Sequence, residues 1–326
     1  VPVAVAMAQQ NQLVSHGFYP SRAVTCPARR YVRQRTPRSE AGRDKAGRDK
    51  VGAVVQKAER VGSPRSRGGK PVGNITRGTT NPNRMRRLDR WLAGPQAWRL
   101  RAAVDPLVVD LGYGASPTTA VELFERLQAV RPDVRVCGIE IEPERVRTAK
   151  SLERPGLSFH VGGFEVPVHG DPVLVRAFNV LRQYEEADVA GIWRLVQSRL
   201  APGGLFIDGT CDEIGRRVTW VALDAERPLS LSFSVRFGSF ELPSEVAERL
   251  PKALIHRNVP GEPIHAFLQA MDKAWLEAAP LASFGNRQRW TGMCRSLRDA
   301  GWPLQDGPAR WRLGEVTVAW DAVAPR

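Results

Sequence analysis

The sequence predicts an α/β domain on a mostly parallel sheet, preceded by a basic arm with no fold of its own. Three observations carry that expectation. Apolar runs of strand length alternate with helical patterns from residue 105 to about residue 210. One of these runs, Leu107–Leu111, carries an acid at its end and runs into two glycines spaced by one residue. The arm differs in charge: residues 1–100 hold 21 Lys and Arg against 5 Asp and Glu, a net +16, whereas residues 101–326 hold 27 against 29, a net −2.

The length of 326 residues suits one large α/β domain plus an appendage. No apolar run approaches the ~20 residues needed to cross a bilayer. Gln9, Gln10, Asn11 and Gln12 interrupt the N-terminus too early for a secretory signal. Cys26, Cys137, Cys211 and Cys294 lie far apart without C-x-x-C spacing and read as reduced thiols. The five histidines form no ligand-spaced pair. The expectation is a cytoplasmic protein without membrane anchor, disulfide framework or metal.

Within the arm, residues 41–50 are a tandem Ala-Gly-Arg-Asp-Lys repeat, and residues 62–73 are rich in Gly, Pro, Ser and Arg. Such a stretch cannot bury enough apolar surface to offset its ordering entropy, so residues 1–72 are expected to be disordered. A basic arm can hold nucleic acid through phosphate contacts. Against that, 41 of the 48 basic residues are Arg along the whole chain, and no aromatic side chain interleaves with them between Val32 and Lys70. The chain also opens on Val, and residues 1–72 read equally well as an over-extended gene start. Nucleic acid is the less favoured partner; a small molecule is the expected one.

Residues 73–100 are expected to form a helical cap segment, with Met85, Leu88 and Leu92 on one face and Arg84, Arg87 and Arg90 elsewhere. Two readings stand: a solvated helix at the domain edge, or a cover over a cleft whose arginines face an anionic substrate.

The first strand then ends in Asp110-Leu111-Gly112-Tyr113-Gly114. Ser116 suits an N-cap and Pro117 the first helical position, with Ala120, Phe124 and Leu127 on one face of a helix to Val130. A strand, a Gly turn and a helix present backbone N–H groups to a ligand with no Cβ in the way. A dinucleotide fingerprint needs a third Gly where this chain has Pro117. The second strand, Val134–Glu140, ends in a carboxylate able to accept from both hydroxyls of a ribose. Glu140 comes 28 positions after Gly112, against ~20 in the dinucleotide pattern.

Asp110-Leu111-Gly112-Tyr113-Gly114 and Gly138-Ile139-Glu140-Ile141-Glu142-Pro143 resemble, in order, the first two motifs of class I S-adenosylmethionine (SAM)-dependent methyltransferases. The resemblance implies that the glycine turn receives the methionine part of SAM, that Asp110 helps to hold the site, and that Glu140 grips the ribose. After the third strand, Leu157–Phe164, the family usually places an Asp or Asn for the adenine amino group, and this chain has Gly163. Adenine must then be held by stacking, by backbone groups, or by apolar neighbours such as Ile141 and Phe164. Asn179, at the end of the fourth strand (Val173–Leu181), falls where many members line the methyl-transfer site. Orienting substrate or SAM and capping the strand end are equal readings of it. A helix over Glu185–Leu200, with Val189, Ile192, Val196 and Leu200 inward, leads through Pro202-Gly203-Gly204 into the fifth strand, Leu205–Asp208.

Beyond Asp208, residues 218–223 and 229–237 read as a hairpin around Glu226-Arg227-Pro228. Residues 245–254, 263–279 and 287–300 read as helices, and 315–320 as the last strand. Trp275, Trp290 and Trp302 suit either a substrate pocket or the core, His256 and His265 either a general base or a structural role. The fold implied is a Rossmann-like class I methyltransferase sheet over residues 101–326: mostly parallel, seven strands, the last antiparallel, with a helical insertion at about 241–310. The function implied is methyl transfer from S-adenosylmethionine, with Asp110, Gly112, Gly114, Glu140, Ile141, Gly163, Phe164 and Asn179 as cofactor-binding residues. The alternatives are a non-catalytic protein of this fold, or an RNA methyltransferase using the basic arm.

Overall fold

A computed structural model describes residues 71–75 and 81–326. The expected disordered arm lies outside the described residues, apart from Pro71 and Val72. The first helices, α1 (Arg86–Ala93) and α2 (Ala97–Ala102), precede β1 (Leu107–Leu111), α3 (Thr118–Gln128), β2 (Arg135–Glu140), α4 (Pro143–Ala149) and β3 (Leu157–Val161). Then come β4 (Leu174–Phe178), α5 (Glu186–Gln197), β5 (Leu205–Cys211), β6 (Arg217–Leu223) and β7 (Pro228–Val235). A helical stretch follows with α6 (Lys252–Ile255), α7 (Pro263–Glu277), α8 (Asn286–Asp299) and α9 (Pro308–Trp311), and β8 (Glu315–Ala319) ends the sheet. No helix among the described residues is long and apolar enough to cross a membrane.

The strands form one sheet of eight, in the order β3-β2-β1-β4-β5-β6-β7-β8. β1 to β5 pair in parallel, and β5-β6-β7-β8 is an antiparallel meander. The expected seven strands are thus eight, and the antiparallel part comprises three pairings rather than one. Connection length decides two of these three pairings. Only residues 212–216 join β5 to β6 and 224–227 join β6 to β7, far short of the dozen or so that a parallel crossover needs.

Every residue of β1 is buried because helices cover both faces, which explains its unbroken apolar run. On one face Val108, Val136, Leu174, Ile207 and Trp220 meet Leu88 and Leu92 of α1, Leu100 of α2, Leu123 and Leu127 of α3, and Val146 of α4. The other face carries Val109, Ile139, Val175, Phe206 and Phe233 against Val189 and Trp193 of α5, Phe267 and Met271 of α7, and Trp290 of α8. Trp275 and Trp290 lie in this core, and Trp302 packs against it with its ring centroid 4.9 Å from that of Phe267.

Local sequence misplaces two boundaries. Ser116 does not cap α3: its hydroxyl lies 2.7 Å from that of Thr118, and the helix begins beyond Pro117. The expected helix over 245–254 is two pieces, a 3-10 turn at Pro243–Arg249 and α6. Pro251 separates them, because it lacks an N–H and disfavours the helical conformation at Leu250.

Candidate functional site

Strand order reverses at β1, whose neighbours β2 and β4 lead into connections on opposite faces. In open α/β sheets the crevice at the carboxyl ends of such strands is where ligands bind. Two adjoining hollows open there, and Gly112 lines both.

The first hollow lies beyond β1, β2 and β3 and has a free space of about 260 Å³, open mouth included. Its walls include Glu140, Ile141, Gly163, Phe164 and Tyr184. Glu140 is 1% exposed. Its Oε2 accepts from Gly114 N–H at 2.9 Å, its Oε1 from Ile141 N–H at 3.0 Å, and Arg145 Nη1 stands 3.6 Å from the carboxylate. Gly114 itself lines neither hollow; it works through this amide. Gly112 and Gly114 have φ of +70° and +86°, a left-handed backbone that favours glycine; Gly112 N–H donates to the Ile139 carbonyl at 2.7 Å and Gly114 N–H to Glu140.

The second hollow, of about 310 Å³, lies beyond β1 and β4 and is more polar. Arg84, Met85, Asp110, Tyr113, Thr119, Phe178 and Asn179 line it with Gly112. Asp110 is spent largely on the fold. Its carboxylate accepts from Arg176 Nε at 2.7 Å, Arg176 Nη2 at 3.0 Å and the Thr119 hydroxyl at 2.9 Å. On its other side Arg176 is paired with Asp89 of α1, which Arg126 of α3 also holds, at 2.5 Å. Burial alone would weaken the proton affinity of the Arg176 guanidinium, but Asp110 and Asp89 more than reverse it, so the group stays charged.

Asn179 has φ of +58°, and its Oδ1 accepts from Cys211 N–H at 3.0 Å while its Nδ2 lies 3.4 Å from Cys211 Sγ. Asn179 thus satisfies a backbone N–H of β5 and also lines the second hollow. Arg84 Nε donates to the Asp212 carbonyl at 2.9 Å. Arg87 turns away from the cleft to Gly215 O, Ser234 Oγ and Leu313 O, each at 3.2 Å. His265 pairs with Asn258 and His256 with Lys252, and neither lines these hollows.

Sequence reasoning missed Glu165, Tyr184 and the Val72–Asn74 segment. Glu165 Oε1 accepts from Gly163 N–H at 2.9 Å, so an acid does stand after β3, two positions beyond the place where it was sought. Its signal was the carboxylate of Gly163-Phe164-Glu165 itself, one turn later than the motif. Tyr184 and Val72 carried no local signal, since each reaches the cleft only through tertiary contacts.

No protein-family model matches the chain, and no curated protein does. Among solved structures it is similar to human N-acetylserotonin methyltransferase in complex with SAM, at 23% identity over 40% of this chain and 39% of that one, with a TM-score of 0.29. It is also similar to an amino pentose methyltransferase of calicheamicin biosynthesis from Micromonospora echinaspora with bound SAM (20% identity, 46% of this chain and 65% of that one, TM-score 0.28). A third is the magnesium protoporphyrin IX methyltransferase of Synechocystis with bound SAH (S-adenosylhomocysteine), at 16% identity over 42% and 63%, with a TM-score of 0.29. The chain spans under two thirds of the length of each.

Proposed function

We propose that this protein is a SAM-dependent methyltransferase. The observation that carries the reading is the meeting of the Gly112-Tyr113-Gly114 turn with the Glu140 carboxylate, 2.9 Å from Gly114 N–H, at the carboxyl ends of β1 and β2. Pro117, in the place of a third glycine, argues against a dinucleotide.

In this reading the residues present suit the group. Glu140, buried and charged, accepts from the ribose hydroxyls. Ile141 and Phe164 flank the base. The glycine turn, whose Gly112 lines both hollows, receives the amino-acid end. SAM supplies an electrophilic methyl on a sulfonium, and the transfer is an in-line displacement at that carbon. The protein's main task is then to bring the acceptor to contact distance in the right direction. A base is needed only where the acceptor must lose a proton, and we assign none. The second hollow, with Asn179, Arg84 and Tyr113 on its walls, suits a small polar acceptor better than a duplex. Cys137, Cys211 and Cys294 are buried free thiols, in keeping with action in the cytoplasm.

Calorimetry tests the cofactor: SAH should bind in the micromolar range and NAD should not bind. Labelled SAM incubated with fractionated cell extract then identifies the acceptor by where the methyl group goes. NAD binding without SAH binding would overturn the reading.

A further inference from the structure

Val72, Gly73 and Asn74, in the described segment 71–75, belong to the wall of the first hollow. The Val72 carbonyl accepts from Phe164 N–H at 2.9 Å, and Val72 N–H donates to Glu165 Oε2 at 2.8 Å. Asn74 N–H donates to the Tyr184 hydroxyl. Between them Gly73 lies on the cleft: a Cβ there would come 3.5 Å from Ile141 and 3.6 Å from the Phe164 ring. Gly163 has no left-handed backbone to explain it. A Cβ on Gly163 would instead stand 2.0 Å from the Val72 carbonyl oxygen, so its missing side chain makes room for this strap.

Val72 therefore presents one donor and one acceptor side by side, the donor to a carboxylate and the acceptor to a backbone N–H. The amino group and N1 of adenine present the same pair along its Watson–Crick edge, the edge by which proteins read an unpaired base. We propose that Val72 is an intramolecular stand-in for the base of the cofactor, held by Glu165 and the Phe164 amide, and that the strap competes with the cofactor for these two groups. This rests on the SAM reading above and adds one thing to it: the position of the N-terminal strap regulates access to the site. Among the described residues three hydrogen bonds hold the strap, and Val72 and Ile75 remain about half exposed, at 46% and 51%. Such a contact is strong enough to compete and weak enough to be displaced.

The test uses the full chain and two probes, SAH and S-inosylhomocysteine, whose base carries the opposite edge with an acceptor oxygen and an N1–H donor. Val72→Pro removes the N–H that Glu165 accepts, and should tighten SAH binding about three- to tenfold. Glu165→Ala should weaken SAH and erase the preference for SAH over S-inosylhomocysteine. Hydrogen exchange supplies a second readout: added SAH should speed exchange at the Val72 and Asn74 amides. Equal SAH affinity in Val72→Pro and the unaltered chain, or slower exchange at those amides, would overturn the competition and leave the methyltransferase reading standing. An unchanged base preference in Glu165→Ala would remove Glu165 as the reader. SAH binding to neither chain would overturn both readings together.

Discussion

Arg176 and Asp110 are direct cross-strand partners on β4 and β1, joined by two parallel hydrogen bonds of 2.7 and 3.0 Å in a site where Arg176 is 1% exposed. With Asp89 and Arg126 they form an alternating chain of two carboxylates and two guanidiniums tying α1, β4, β1 and α3 together. The acid that opens the first motif thus has two faces, one toward the cleft and one locked into the sheet.

Breaking this chain on one side should be costly. Arg176→Met leaves Asp89 and Asp110 as buried charges without their shared partner, and should destabilise the protein by about 3–5 kcal/mol. Urea unfolding measures it; a loss below about 1 kcal/mol would show that water reaches the network and solvates the carboxylates.

If the SAM reading holds, Glu140 does two jobs that substitutions can separate. Glu140→Gln keeps an acceptor for Gly114 N–H but loses the charge, so SAH affinity should fall about tenfold with little change in melting temperature. Glu140→Ala also strands the amides of Gly114 and Ile141; affinity should fall by about 1.5–3 kcal/mol and stability by about 1 kcal/mol. Calorimetry and thermal melts on both variants check the pair. Unchanged SAH affinity in a folded Glu140→Ala protein removes the residue from the site.

The left-handed Asn179 yields a similar comparison. Asn179→Gly keeps the backbone conformation and loses the acceptor for Cys211 N–H and the Nδ2 contact with Cys211 Sγ, together about 1 kcal/mol. Asn179→Ala adds backbone strain of about 1–2 kcal/mol to that loss. Denaturant midpoints should therefore rank Asn, then Gly, then Ala; Ala at or above Gly would contradict the backbone argument.

Acidic groups buried on both faces make stability depend on pH. Burial pushes the Asp208 carboxyl up to about 7, and the Trp193 indole N–H, donating at 3.0 Å, offsets this only in part. Burial likewise raises Glu315 to about 7, against the pull of Arg310, and Asp306 to about 6, against its hydrogen bond from Trp311. The folded state holds these protons to higher pH than the unfolded chain, whose carboxyls titrate near 4. Their contribution is therefore complete below about pH 4 and is lost as pH rises toward 7. Asp208→Asn should flatten that decline and stabilise the protein at pH 8 by on the order of 2 kcal/mol. Melting temperatures from pH 4 to 8 check it, and an unaltered slope would exclude Asp208 as a source.

The five strands, the helix between β1 and β2, the glycine turn and the acids at the ends of β1 and β2 were legible in the chain, because each is a local pattern. Unbroken apolar runs mark strands covered on both faces, and Gly112 and Gly114 mark a turn that only glycine enters without strain. It also marked Met85, Leu88 and Leu92 as one buried face. The rest depends on packing between distant segments. That β6 and β7 add to the same sheet as an antiparallel meander, with β8 closing its edge, follows from short connections and from which edge is free. That Asp110 is shared with Arg176 depends on the register of β1 against β4, which no single strand encodes. Val72 and Tyr184 reach the cleft across 92 and 44 positions from Phe164 and Glu140, and contacts at that range are set by how the elements pack, not by the residues beside them in the chain.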